Sequence, residues 1–275
     1  MLNFLHNFQP NNVLISFGSV NVYWYGLFIV FGMLFGMVVI LKLAGKYGIS
    51  KDMLIDLIFW MIIGGVVGAR IYDVLLNLSY YSNDPIQSLK IWQGGLAIHG
   101  AIIGGLVALY IFVSKYKLDF WLISSLIVPG AILGQAIGRW GNFFNQELFG
   151  KPTDLPWGIF ISPPNRPIDY FNQPYYHPVF LYESMGSLMI FGILMLMHLL
   201  RPKFRITDKF ITASYLALYS LLRFFTEYLR VDQTPIYFGL RLPQIVSIIF
   251  ILLALYIVFS DKKKRKLENN PALAK

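Results

Sequence analysis

Residues Gly138 to Gly150 read GRWGNFFNQELFG, which puts an arginine, two asparagines, a glutamine and a glutamate within a few positions of one another. Side chains of these types can bind an anion, accept protons and donate amide hydrogens. They follow directly on an apolar run, Phe120 to Ile137, that is long enough to lie in a bilayer. Polar and ionisable groups at a membrane boundary are costly to desolvate and need a partner or a ligand. The stretch therefore reads as the entrance to a site.

Two other places carry chemistry of the same kind. Arg223 and Glu227 are four apart, so on a helix they share one face, with Tyr219 one turn earlier and Arg230 another turn on. An internal ion pair would account for them blandly. Yet a guanidinium within an apolar segment is costly even when paired, and its planar fork suits phosphate. His99 stands in GGLAIHGAIIGG, where flanking glycines let a backbone or a substrate approach the imidazole, whose pKa class suits a general base. Gly94, Gly95, Gly100, Gly104 and Gly105 themselves read mostly as helix packing. Arg70 and Asp73, three apart, are expected to pair with each other, and Glu183 is placed to satisfy one of the arginines. Taken together, cations and a base beside lipid point to an anionic lipid as ligand.

The elements that must hold these groups are membrane helices. Hydrophobic residues make up 56% of the chain, charged residues 13%, and the mean hydropathy is +0.58. A soluble domain carries about a quarter charged residues, so the chain reads as an all-α integral membrane protein. Segments of roughly 20 apolar residues can span a bilayer. Seven qualify: about Val20–Leu41, Met53–Leu76, Leu96–Ser114, Phe120–Ile137, Val179–Leu200, Phe210–Tyr228 and Leu242–Ser260. The first is long enough to remain as a span, and no cleavable signal peptide is evident.

The distribution of Lys and Arg orients these seven transmembrane helices. One side collects Lys42, Lys46 and Lys51, then Lys115 and Lys117, then Arg201, Lys203, Arg205 and Lys209, and finally the tail with Lys262 to Lys266 and Lys275. The other side holds only Lys90, Arg139, Lys151, Arg166, Arg230 and Arg241. The basic side is cytoplasmic by the positive-inside rule, which puts the N-terminus outside and the C-terminus in the cytoplasm. The whole chain, 1–275, is then a single transmembrane domain. Its longest connection, residues 142–177 between spans four and five, is rich in Pro, Gly and aromatics and is expected to form an ordered head segment on the outer face. Residues 261–275 form a basic cytoplasmic tail whose last part, Leu267–Lys275, is expected to fray.

Composition also excludes whole classes. There is no cysteine, hence no disulfide, thiolate metal site or cysteine nucleophile. The four histidines, His6, His99, His177 and His198, are too scattered for a metal cluster. The net charge of +9 sits largely where a membrane flank would put it, so nucleic acid is not an expected partner. A transporter would place polar residues at the midplane of several helices and commonly show an internal repeat. Here the charges crowd toward the outer half and no repeat is visible.

The string GRWGNFFNQELFG resembles the signature of the prolipoprotein diacylglyceryl transferase family, with Gly138, Arg139, Asn142, Phe143, Asn145, Glu147 and Gly150 at its fixed positions. Further motifs of the family follow in order over nearly the whole chain. They are WYG at Trp24–Gly26, the histidine motif at His99, HP with LYE at His177–Glu183, and RFxxExLRxDQ at Arg223–Gln233. The chain departs from the family pattern at Ala101, Tyr176, Val179 and Phe180, so no role is carried onto those positions.

The resemblance implies a reaction and a set of roles. The sn-1,2-diacylglyceryl group of phosphatidylglycerol passes to the lipobox cysteine thiol of a prolipoprotein signal peptide, giving a thioether and glycerol 1-phosphate, the first step of bacterial lipoprotein maturation. Arg139 and Arg223 would hold the head group and stabilise its developing charge, and His99 would take the thiol proton. Asn142 and Glu147 would position the head group, with Gly150 also at the phosphatidylglycerol site. Glu227 would orient Arg223, while Tyr25 and Tyr219 would contact the lipid or its phosphate. No cofactor, metal or nucleotide is implied, since lipid and thiol contain the reacting groups. The expected location is the bacterial cytoplasmic membrane, as a multi-pass protein.

Overall fold

The computed structural model describes residues 6–18 and 20–269. A hairpin, β1 (Val13–Phe17) and β2 (Val20–Tyr23), leads into α1 (Trp24–Lys46) and α2 (Lys51–Leu76). Short helical turns follow, then α3 (Ile98–Lys115) and α4 (Phe120–Phe144). A small antiparallel pair, β3 (Ile159–Phe160) and β4 (Tyr175–Tyr176), precedes α5 (Val179–Phe204) and α6 (Asp208–Thr226). A last hairpin, β5 (Ile236–Tyr237) and β6 (Leu240–Arg241), runs into α7 (Leu242–Asn269). The fraying expected of Leu267–Lys275 falls partly on residues 270–275, outside the described residues; 267–269 are helical.

Local chemistry sets these boundaries. Ser50 caps α2, accepting from the Met53 amide, and Thr207 caps α6 by accepting from the Phe210 amide at 3.1 Å. Acidic Asp52 and Asp208 follow in the first turns, and Lys46, Lys115, Arg201 and Lys203 lie in the last turns of α1, α3 and α5, as the helix dipole favours. Arg205, at φ 50°, ends α5 in the left-handed region.

Among the described residues six helices are long and apolar enough to cross a membrane: α1, α2, α3, α4, α5 and the Leu242–Lys262 part of α7. The chain is thus a mostly helical integral membrane protein. The segment expected as the sixth of seven spans forms α6, 19 residues long, but Thr212, Ser214, Ser220 and Arg223 dilute its apolar character. The fourth span is longer than its hydropathy indicates. α4 continues from Ile137 to Phe144, so Asn142 and Phe143 are helical and the head segment begins after them.

The chain divides into two compact units. In the unit formed by residues 40–126, α2 and α3 cross on facing glycine pairs. A Cβ on Gly64 would lie 2.8 Å from the Gly104 carbonyl oxygen, and one on Gly68 would press on the Gly100 carbonyl. Small residues at this spacing let two helix backbones meet. Arg70, on α2, is enclosed beside this crossing. Its Nε donates to Ser88 O at 2.8 Å and its Nη1 to the carbonyls of Gly94 and Gly95 at 2.7 and 2.8 Å. Its Nη2 reaches Gln87 O at 2.5 Å, and Asp73 lies 3.7 Å away as expected from the spacing.

The other unit, residues 1–39 with 127–275, uses the same device between α1 and α4. Cβ atoms on Gly32 and Gly36 would each stand 2.7 Å from the carbonyl oxygens of Gly134 and Gly130. Val128, Ile132, Ile190, Leu194 and Ile211 form a core among α4, α5 and α6. A second core of Phe143, Phe149, Ile159, Ile161, Tyr176 and Phe180 ties the end of α4 and the start of α5 to the head segment.

Candidate functional site

Three elements end around one buried carboxylate. α4 brings Arg139 and Asn142 on a shared face near its C-terminus, α5 brings Glu183 in its second turn, and α6 brings Arg223 and Thr226, with Glu227 at its C-cap. Glu183 is only 2% exposed. Its Oε2 lies 2.6 Å from Arg139 Nε, and its Oε1 meets Arg223 Nη1 at 3.2 Å and Arg230 Nη1 at 3.6 Å. The Thr226 hydroxyl donates to the same Oε1 at 3.1 Å. A carboxylate taken out of water needs such compensation, and several donors at once supply it.

Glu227, 0% exposed, is the second hub. Arg223 Nη2 is 2.6 Å from its Oε2, Arg241 Nε is 2.9 Å from its Oε1, and Arg230 Nε is 3.9 Å away. Neither oxygen of Glu227 receives an aligned hydrogen bond among the described residues, and close positive charge balances it. Asp232 accepts from Arg230 Nε at 2.7 Å and lies 3.6 Å from Arg241 Nη2. Arg139, Arg223, Arg230 and Arg241 thus face Glu183, Glu227 and Asp232, and Glu147 joins as a fourth carboxylate through Asn142.

Accessibility divides these cations. The side chains of Arg139, Arg223 and Arg241 keep 17%, 18% and 17% of their surface, that of Arg230 only 4%, and Arg241 gives its donors to backbone carbonyls. Arg139 Nη1 also donates to Asn142 Oδ1 at 3.3 Å, and Asn142 Nδ2 donates to Glu147 Oε1 at 2.7 Å. No further acceptor among the described residues faces Arg223. Arg139 and Arg223 are therefore both anchored and open, the arrangement expected of an anion clamp.

The loop after α4 depends on Gln146, the glutamine of the Gly138–Gly150 stretch, which holds no fixed position of the signature. Gln146 takes φ 50° and is buried; its amide donates to Pro10 O at 3.0 Å and its Oε1 accepts from the Ser162 amide at 2.6 Å. It turns the chain so that Glu147 is exposed beside Asn142 while Gly150 returns to the core. The Gly150 amide donates to His177 O at 2.9 Å, and a Cβ there would lie 2.7 Å from His177 Cβ and 2.9 Å from Val179 Cγ2. Gly150 thus holds a close backbone approach next to the clamp. His177, half-buried, contacts the Tyr182 hydroxyl at 3.2 Å through Nδ1, and burial pushes its imidazole pKa down.

Tyr25 opens α1 and lies across Gly141 of α4, where a Cβ would come within 2.5 Å of its ring. With Asn12, Asn145 and Val30 it lines a cavity of about 680 Å³. Tyr219 stacks on Tyr215 at 6.2 Å one turn before Arg223. Structure thus brings Arg139, Asn142, Glu147, Arg223 and Glu227 into one network, with Gly150 at its edge. His99 belongs to the other unit, where it is exposed in the first turn of α3, its ring 5.9 Å from that of Tyr72. Among the described residues no cluster of His, Asp or Glu is placed to hold a metal.

Sequence reasoning gave Glu183 one arginine; it holds three. Asp232, Thr226 and Arg241 were missed as members. Asp232 lies within the RFxxExLRxDQ string, but Arg241 carried no signal beyond its charge.

Residues 12–260 match the family model described as prolipoprotein diacylglyceryl transferase. The chain is also similar to curated proteins named phosphatidylglycerol–prolipoprotein diacylglyceryl transferase. That of Nostoc sp. is 44% identical over 251 residues, covering 90% of this chain and 88% of the relative. That of Acaryochloris marina is 45% identical over 241 residues, 88% and 87% of the two chains. That of Synechocystis sp. is 40% identical over 279 residues, 97% and 98% of the two.

Proposed function

Since the chain belongs to the prolipoprotein diacylglyceryl transferase family, we propose that it moves the sn-1,2-diacylglyceryl group of phosphatidylglycerol to a prolipoprotein cysteine, as its relatives' names describe. The lipobox thiol loses its proton, and the thiolate attacks the glycerol carbon that bears the phosphate. A carbon–sulfur bond forms while the carbon–oxygen bond to phosphate breaks, and glycerol 1-phosphate leaves with the bond's electron pair. The transition state therefore builds negative charge on a phosphate oxygen.

One observation carries the assignment: Arg139 and Arg223, from different helices, are braced on the single buried carboxylate of Glu183 while both remain accessible. Donors fixed before the substrate arrives need no reorganisation as charge develops. Asn142 and Glu147 flank Arg139 and position the glycerol head group, Glu227 orients Arg223, and Gly150 admits close backbone packing beside the phosphate. Tyr25 and Tyr219 contact the lipid. His99 is the base for the thiol proton; a free thiol pKa of about 8.5 asks only modest help of it. The reaction uses neither metal nor nucleotide.

The fold reading extends in the same way. α6 serves as a seventh span, its polar face turned to the network, and the excess of Lys and Arg at the other helix ends makes that side cytoplasmic. The clamp then opens toward the outer leaflet of the bacterial cytoplasmic membrane, where a signal peptide presents its cysteine, and residues 142–177 form the head above it.

Purified protein incubated with radiolabelled phosphatidylglycerol and a lipobox peptide should label that peptide and not its Cys→Ser counterpart. Label in both peptides, or in neither, would refute the assignment.

A further inference from the structure

Arg241 belongs to none of the motifs above, yet it contacts Glu227, Arg230 and Asp232 of the network. It sits on β6 opposite Ile236, in a hairpin closed by Phe238 and Gly239 at φ 51° and 77°. Its Nε contacts Glu227 Oε1 at 2.9 Å and donates to Thr234 Oγ1 at 2.8 Å. Its Nη1 donates to the carbonyls of Glu227 and Arg230 at 3.2 and 2.5 Å, and its Nη2 to the Asp232 carbonyl. Its own amide donates to Gln244 Oε1 at 3.1 Å.

Two consequences follow from these contacts. The Glu227 carbonyl, just past the end of α6, accepts from the Arg230 amide at 3.3 Å, and Arg241 adds a side-chain donor to it and to the Arg230 carbonyl. More telling is how the Glu227 carboxylate is shared. One oxygen holds Arg223 at 2.6 Å and the other holds Arg241 at 2.9 Å. Arg223 lies on the same helix face and could take both oxygens with its planar fork, the geometry guanidinium and carboxylate prefer. That would turn its Nη1 from Glu183. Arg241 occupies the second oxygen and keeps Arg223 to a single-oxygen contact.

We propose that Arg241 is a positioning residue for diacylglyceryl transfer, acting through the Glu227 carboxylate to keep Arg223 aimed at the head group. The role rests on the transferase reading above. It predicts that removing the charge of Arg241 matters only while Glu227 is charged.

The test is a double-mutant cycle on the purified full chain, with labelled phosphatidylglycerol and a lipobox peptide as substrates. Arg241→Gln should lower kcat/KM about tenfold, and Arg241→Lys, which keeps a charge beside Glu227, should recover most of it. In the Glu227→Gln background, adding Arg241→Gln should change kcat/KM by less than about twofold. A residue that only fastens the hairpin would give the same loss in both backgrounds, and that outcome overturns the proposal. So does an Arg241→Gln enzyme within about twofold of wild type. Should Arg241→Gln alone fail to fold, Glu227→Gln with and without Arg241→Gln decides: equal turnover supports the coupling and a loss of about tenfold refutes it. Wild-type protein that transfers no label refutes the transferase reading itself, whereas active wild type with unaffected Arg241→Gln refutes this role alone.

Discussion

Arg70 and the Arg139–Arg223 pair are both guanidinium groups lodged in helices long and apolar enough for a bilayer, or beside them, yet their surroundings differ in kind. Arg70 spends its donors on the backbone carbonyls of Gln87, Ser88, Gly94 and Gly95, so it fastens a loop. Arg139 and Arg223 lean on one shared carboxylate and keep part of their surface free. A buried arginine satisfied by carbonyls is a structural bolt, because little of it remains for a ligand to meet. One braced by a carboxylate that it shares with another arginine is held in place while its remaining donors stay available.

The largest effects should separate the two by readout. Arg139→Lys and Arg223→Lys keep the charge but lose the fork, and each should cut turnover of labelled phosphatidylglycerol by about 100-fold or more with the unfolding midpoint little changed. Near-normal activity in both Lys variants would break the comparison from the clamp side. Glu183→Gln attacks the brace itself, leaving Arg139, Arg223 and Arg230 without their common anion. It should lower both activity and thermal stability, which neither lysine variant does.

Arg70→Lys should show the opposite pattern. A lysine has three donors on one centre and cannot reach carbonyls on several sides. Loss of that enclosure should cost about 3 kcal/mol in detergent unfolding, with turnover per folded molecule falling far less than in the clamp variants. A stable Arg70→Lys protein with abolished turnover would move Arg70 into the chemistry.

Glycines sharpen the contrast further. A methyl at Gly104 would run into the Gly64 backbone, whereas one at Gly138, beside Arg139, would meet nothing within 4 Å. Gly104→Ala should therefore destabilise the protein by roughly 1–3 kcal/mol, and Gly138→Ala should not. If lipid fills the space over Gly138, that variant should instead raise the apparent KM for phosphatidylglycerol. Unfolding curves and initial rates on the two variants distinguish these outcomes.

Hydropathy made most helices legible because lipid contact is written residue by residue. α2, α5 and α7 begin within two residues of the segments read from sequence. It failed at the end of α4, where Arg139 and Asn142 remain helical because their partners, Glu183 and Glu147, satisfy them. Hydropathy counts a side chain's cost and is blind to its partner. For the same reason the Arg223–Glu227 pair, four residues apart, was legible, but the threefold load on Glu183 was not. Arg223 lies forty positions from Glu183 and Arg241 lies fourteen from Glu227, and no helical period links them. Gly100 and Gly104 read as helix packing from the sequence, while their partners Gly64 and Gly68 came only from the packed structure.

The smallest effect concerns the segment next to the clamp, and its sign separates burial from charge. His177 exchanges backbone bonds with Gly150 and Lys151, and burial lowers its imidazole pKa. A histidine with a depressed folded-state pKa favours the folded form fully above its ordinary value near ~6.5, and that advantage is lost as the pH falls toward the lowered value. The folded protein should therefore lose stability when moved from neutral to mildly acidic buffer, through protonation of a ring that burial keeps neutral. His177→Gln, which cannot titrate but can still reach the Tyr182 hydroxyl, should lose less over the same interval. Unfolding midpoints of the two proteins across that range measure the difference. An equal acid loss in both would assign the pH dependence to other groups and leave His177 as a packing residue beneath Gly150.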